Sequence, residues 1–130
     1  MGDWGHPDHY TSGAKDFARA TRAAEIDIMV RRVLPQLRAT AREVGYALAV
    51  HGSLERDFDI VAVPWTETAG SPTELVEGLC KTCRAATGWG YWHNAQKFTA
   101  KPHGRLAVTI VASAEVQIDL SIMPRTPHSA

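Results

Sequence analysis

Two short apolar runs, Tyr46-Ala47-Leu48-Ala49-Val50-His51 and Phe58-Asp59-Ile60-Val61-Ala62-Val63, stand only six residues apart. Each has the length of a strand rather than of a stable helix, and the second is closed by Pro64. So short and polar a connection makes an antiparallel hairpin the simplest arrangement. Residues two apart in a strand share a face, so Asp57 and Asp59 are expected to project side by side, roughly 6 to 7 Å apart at Cα. Phe58, Ile60 and Ala62 then face the other way, toward a core.

Two carboxylates placed in this way repel each other unless a cation lies between them or one of them keeps its proton. Mg²⁺, a hard cation that takes carboxylate and phosphate oxygens, is the natural partner. A third aspartate of the same kind occurs in Val116-Gln117-Ile118-Asp119-Leu120-Ser121-Ile122. There Val116, Ile118, Leu120 and Ile122 form one apolar face and leave Asp119 on the other with Gln117 and Ser121. A strand pairing that sets Asp119 beside Asp57 and Asp59 would converge three carboxylates, enough for two metal ions and for activation of an attacking hydroxyl. Gly52-Ser53 adds a turn whose amides can form an anion nest and whose hydroxyl donates, and Arg56 is near enough in sequence to pair with a phosphate or an aspartate.

Around this centre the chain alternates helices and strands. Ile26, Met29, Val30, Val33, Leu34, Leu37, Ala41 and Val44 recur at helical spacing, which predicts a helix from about Arg22 to Val44, kinked or restarted at Pro35 and capped by Gly45. Ser71-Pro72-Thr73-Glu74 reads as the start of a second helix, with Leu75, Val76, Leu79, Cys80 and Cys83 on its buried face and its end near Gly88. Residues 89–98 are aromatic and fit no single element. Strands follow over Arg105–Ala112 and Val116–Met123. Residues 1–13 read as a loose arm whose Trp4 and Tyr10 could dock, 14–124 as one domain, and 125–130 as a frayed tail.

The bulk properties narrow the function. Formal net charge is zero, so any site for nucleotide or nucleic acid has to be a local patch. No apolar run approaches the roughly 20 residues of a membrane span, and the first residues carry neither a basic region nor an apolar stretch, which points to a cytoplasmic protein. Cys80 and Cys83 are spaced C-x-x-C within a helical segment, where packing is the default reading over redox or zinc chemistry.

Gly-Ser at the end of one strand, Asp-x-Asp opening the next and a third Asp on a later strand resemble the nucleotidyltransferase superfamily of DNA polymerase β. The likeness is greatest to its minimal, antitoxin-type members. In element order it spans about residues 26 to 123, although Gly52, Ser53, Asp57, Asp59 and Asp119 alone carry the motif. The segment is also similar to small phage or prophage proteins of unassigned role. The resemblance implies an α+β fold with a mixed or antiparallel sheet of about four strands and helices on one face. It further implies Asp57 and Asp59 as metal ligands, Asp119 as third ligand or base, and Gly52 and Ser53 as phosphate holders. One departure stands out: only Leu54, Glu55 and Arg56 separate Gly-Ser from Asp-x-Asp, a shorter insert than is usual in the family.

The expected function is Mg²⁺-dependent nucleotidyl transfer from a nucleoside triphosphate to an acceptor hydroxyl, with one or two Mg²⁺ ions and a nucleic acid or protein as an acceptor class. The alternative is a non-catalytic module of the same fold that binds a nucleotide, nucleic acid or protein, and a third reading is metal-dependent phosphate-ester hydrolysis. Secondary substrate contacts are His51, beside the phosphate turn, Trp65 as a stacking surface, and Lys97, Lys101 and Arg105 in the densest basic stretch. For each the plainer alternative is structural: a packed strand-end histidine, a rim aromatic, a solvated loop.

Overall fold

The computed structural model describes residues 12–54 and 57–125. Trp4, Tyr10, Glu55, Arg56 and the last five residues lie outside the described residues. The helical course begins earlier than its apolar spacing predicts: α1 runs Ser12–Ile28, a π-helical turn Met29–Val33 follows, and α2 runs Leu34–Val44. Ser12 and Gly13, expected in the arm, thus belong to α1. Ile26 is the buried residue of α1, while Phe17 lies 75% exposed, so the first turns carry no apolar stripe for a periodicity argument to find. Alanines at 14, 18, 20, 23 and 24 favour helix there by propensity instead.

Pro35 explains the wide turn. It sits in the first turn of α2, where its missing N–H is tolerated. Just before it the Leu34 N–H donates to the Met29 carbonyl five residues back, so the chain widens through the proline rather than breaking. Gly45 ends α2 at φ 95°, and its N–H donates to the Ala41 and Arg42 carbonyls.

Strands β1 (Tyr46–His51) and β2 (Phe58–Pro64) pair antiparallel as expected. Helix α3 (Pro72–Thr87) starts on a capping box in which the Glu74 N–H donates to Ser71 Oγ, and it ends at Gly88 in the left-handed conformation. Then come β3 (Tyr91–Trp92), β4 (Thr99–Ala100), a 3₁₀ turn at Pro102–Gly104, β5 (Leu106–Val111) and β6 (Gln117–Ile122). The sheet has six strands rather than about four. The additional two are short, and both lie on the free side of β5, β3 against Ile110 and Val111 and β4 against Leu106 and Ala107.

The order β1-β2-β6-β5-β3 puts β6 beside β2, and this pair is parallel in an otherwise antiparallel sheet. Alternation divides the sheet into two faces. Leu48, Phe58, Ile60, Ala62, Ile118, Leu120, Ile122, Val108 and Ile110 are buried in one core with Leu37 and Ala41 of α2 and Leu75, Val76, Leu79, Cys80 and Cys83 of α3. Truncating one of the fully buried aliphatic residues, such as Ile60, is worth about 2–5 kcal/mol. The opposite face, with Ala49, Asp59, Val61, Thr109, Asp119 and Ser121, is not covered by these helices and stays half-buried to exposed.

The connection after β2 is tied down at several points. The Trp65 N–H donates to the Gly45 carbonyl, the Gly70 N–H to the Val44 carbonyl, and the Tyr46 hydroxyl to the Gly70 carbonyl. Arg125, expected in the frayed tail, bonds the Glu67 and Ala69 carbonyls through its guanidinium.

Candidate functional site

The register between β2 and β6 places Asp59 directly opposite Asp119, on strands about 4.8 Å apart. The antiparallel neighbours extend this row: His51 of β1 faces Asp59, and Thr109 of β5 faces Asp119. Four polar side chains therefore cross four adjacent strands at one level of the open face.

Asp59 and Asp119 thus present their carboxyl groups side by side on the open face. Burial and this proximity both act on the acidity of Asp59. Burial pushes its carboxyl above the ordinary value of 3.8, the charge of Asp119 raises it further, the His51 imidazole opposes, and Asp57 adds to the rise. Thr109 Oγ1 donates to Asp119 Oδ1 at 3.2 Å and fixes the orientation of that carboxylate.

Asp57 is placed differently from the pattern expected of a continuous strand. β2 begins at Phe58, so Asp57 lies just outside it and faces a second cavity of about 290 Å³ with Arg22 of α1 and the turn between β5 and β6. Asp119 borders this cavity as well as the larger one that holds Asp59, so it stands between the two aspartates. Among the described residues no three His, Cys, Asp or Glu side chains stand close enough together to hold a metal ion. What the backbone brings together is the pair. Mg²⁺ usually retains several waters and takes one or two protein carboxylates with substrate phosphate oxygens, so the Asp59–Asp119 pair has the donor chemistry for it.

Gly52 follows β1 at φ 84°, and a methyl group built on it would meet Asp59 Oδ2 at 3.1 Å. The Gly52-Ser53 turn thus closes over Asp59 in a conformation that favours glycine, and Leu54 continues it with φ 60°. Left-handed residues at Gly52 and Leu54, on either side of Ser53, make a turn whose amide N–H groups can face an anion.

The larger cavity, about 410 Å³, runs from His51, Asp59 and Asp119 along the open face to Ser121, Lys101 and Arg105. Lys97 and Trp65 lie outside both cavities; Trp65 is 61% exposed beyond the end of β2. Cys80 and Cys83 are free, buried thiols in the core, away from the acidic row. Burial pushes Cys80 up to about 12 and Cys83 to about 11, which disfavours the free thiolate at neutral pH.

Two contributors escaped the sequence reading. Thr109 is named by the register of the β5–β6 hairpin, because counting outward from the turn at Ser113-Ala114-Glu115 puts it across from Asp119. Arg22 comes from a helix packed at a distance in sequence and has no such local signal. Among the described residues no helix is long and apolar enough to cross a membrane. Compared with protein-family models, curated proteins and solved structures, the chain matches none.

Proposed function

We propose that this protein is a Mg²⁺-dependent nucleotidyltransferase acting at the Asp59–Asp119 pair. The observation that carries the proposal is the register of β2 against β6, which sets two carboxylates side by side beneath a turn whose Gly52 is left-handed. A structural role alone leaves such a pair costly, since it must retain a proton near neutral pH or bear two adjacent charges. A divalent cation with a phosphate ligand removes that cost.

On this reading Asp59 and Asp119 are the ligands of the ion, and Asp57 contributes from the neighbouring cavity. Bound Mg²⁺ would supply charge neutralisation at the triphosphate oxygens. The amides of the Gly52-Ser53 turn hold the phosphate chain. Asp119, oriented by Thr109, accepts the proton of the acceptor hydroxyl as its oxygen bonds to the α-phosphorus, and the bond to pyrophosphate breaks. Catalysis here consists of positioning and charge stabilisation.

A second reading, a non-catalytic module that binds a nucleotide or a macromolecule, draws on the shortness of the connection between Gly52-Ser53 and Asp57. Titration calorimetry with Mg²⁺ and each ribonucleoside triphosphate, on wild type, Asp59→Asn and Asp119→Asn, tests the metal-dependent site. Mg²⁺-dependent binding lost in both variants supports the nucleotide site, and pyrophosphate release with an acceptor then distinguishes transferase from binder. Unchanged binding in both variants removes the site assignment.

A further inference from the structure

The end of the larger cavity remote from the acidic row is built around a like-charge pair. β4 and β5 form a hairpin through the Pro102–Gly104 turn, in which His103 and Gly104 both take positive φ. Beyond the last paired residues, Ala100 and Leu106, the Lys101 N–H donates to the Arg105 carbonyl at 2.9 Å. Lys101 and Arg105 are therefore cross-strand neighbours, and both border the same cavity.

Like charges facing each other across a pair of strands destabilise it. Among the described residues neither Lys101 nor Arg105 has an acidic partner at ion-pair distance. Arg105 is instead steadied by Ser121, to whose Oγ its guanidinium donates at 3.3 Å. Ser121 lies two residues beyond Asp119 on β6, which sets this end roughly 7 Å along the strand from the acidic row. The Gly52-Ser53 turn lies at the opposite end of that row, past the C-terminal end of β1. A ligand oxygen at Asp119 would thus have one anion-attracting feature on either side.

We infer that Lys101, Arg105 and Ser121 form a phosphate subsite, and that the acceptor carries a phosphate group about two strand residues from its attacking hydroxyl. This rests on the transferase reading for the word acceptor, but the subsite itself does not. Its chemistry is that of a phosphate monoester or diester on a hydroxyl-bearing sugar, whether free or at the end of a nucleic acid strand. The volume of about 410 Å³ lies within the range of small-ligand pockets and suits one such unit. A guanidinium and an ammonium from opposing strands neutralise a phosphate that neither could hold as firmly alone. The ligand in turn relieves their mutual repulsion.

The test is a titration followed by amide NMR, in Mg²⁺-free buffer, with ribose 5-phosphate, ribose and a 5′-phosphorylated dinucleotide. Ribose 5-phosphate is expected to shift the amides of Lys101, Arg105 and Ser121 and to bind more tightly than ribose by about tenfold or more. Lys101→Gln and Arg105→Gln should each weaken it by about tenfold while the remaining spectrum overlays that of wild type. Tighter binding of the dinucleotide assigns the phosphate to a nucleic acid end, and equal or weaker binding to a small molecule. Equal affinity for ribose and ribose 5-phosphate, or wild-type affinity in both variants, overturns the subsite. Phosphate binding without any Mg²⁺-dependent triphosphate binding would retain the subsite and refute the transferase. Transfer that shows no preference for phosphorylated acceptors would refute the acceptor assignment and leave the transferase standing.

Discussion

Asp59 and Asp119 stand abreast on parallel neighbouring strands, and the charge of Asp119 helps to hold the Asp59 carboxyl above its ordinary value. The proposed activity follows from that relationship, because neighbouring parallel strands in register cannot separate two facing side chains. The pair must be served by a proton, by a cation, or by both in turn.

The proton gives the first prediction. Burial, then the charge of Asp119, raise the Asp59 carboxyl above 3.8, so between that value and its raised folded value the native state holds a proton that the unfolded chain has released. Stability from this group is therefore greatest below 3.8 and declines as pH rises through the folded value. Asp59→Asn removes the loss. In metal-free buffer at pH 7 its melting temperature should exceed that of wild type, and the difference should close as pH falls below 3.8. Added Mg²⁺ should raise the melting temperature of wild type more than that of the variant. Thermal melts with and without a chelator across this range measure both effects, and a variant less stable than wild type at pH 7 would contradict the raised Asp59 carboxyl.

Thr109→Val isolates orientation from charge. The hydroxyl donates to Asp119 Oδ1 at an exposed position, so what it supplies is orientation. Because the site lies on the open face, stability should change by no more than about 0.5 kcal/mol. The transfer rate at saturating triphosphate should fall about tenfold or more, with triphosphate affinity nearly unchanged. Steady-state kinetics separates the two parameters. An equal loss of affinity would show that Thr109 acts on binding instead.

The hairpin of β1 and β2 and the apolar face of β6 were legible in the sequence because strict alternation leaves Asp59 and Asp119 nowhere to point except the open face. Asp57 was not, because alternation applies only within a strand and β2 begins one residue later. The first turns of α1 had no apolar stripe, since residues 12–22 are all exposed. β3 and β4 escaped notice for another reason. Each is two residues long, and between them Asn94, Ala95 and Gln96 all take positive φ, a conformation whose local signal is usually glycine. Lys101 and Arg105 could be read as basic but not as facing each other, because that depends on where the turn at Pro102–Gly104 closes.

The cysteines provide a test independent of any substrate. Burial drives both thiols far above neutral, Cys80 to about 12 and Cys83 to about 11, so native protein at pH 8 should resist an aromatic disulfide reagent. Both thiols should react once denaturant unfolds the chain, and Zn²⁺ should leave the native melting temperature unchanged. Rapid labelling of either thiol under native conditions would place it outside the core described above.

The Gly52-Ser53 turn can be tested with a built-in control. Gly52 and Gly88 adopt nearly the same left-handed conformation, φ 84° and φ 82°. Replacing either by alanine therefore carries a similar conformational cost, about 1–2 kcal/mol. Their surroundings differ. A methyl group at Gly88 meets nothing within 4 Å, whereas at Gly52 it lies 3.1 Å from Asp59 Oδ2 and intrudes on the space between the turn and the carboxylate pair. Both variants should thus unfold at similarly reduced denaturant midpoints. Gly88→Ala should keep Mg²⁺-dependent triphosphate affinity within about twofold, while Gly52→Ala should lose about tenfold or more, equivalent to at least one charge-assisted hydrogen bond. If the two variants bound triphosphate alike, the turn would have no part in holding phosphate, and the left-handed geometry of Gly52 would serve only to close the hairpin.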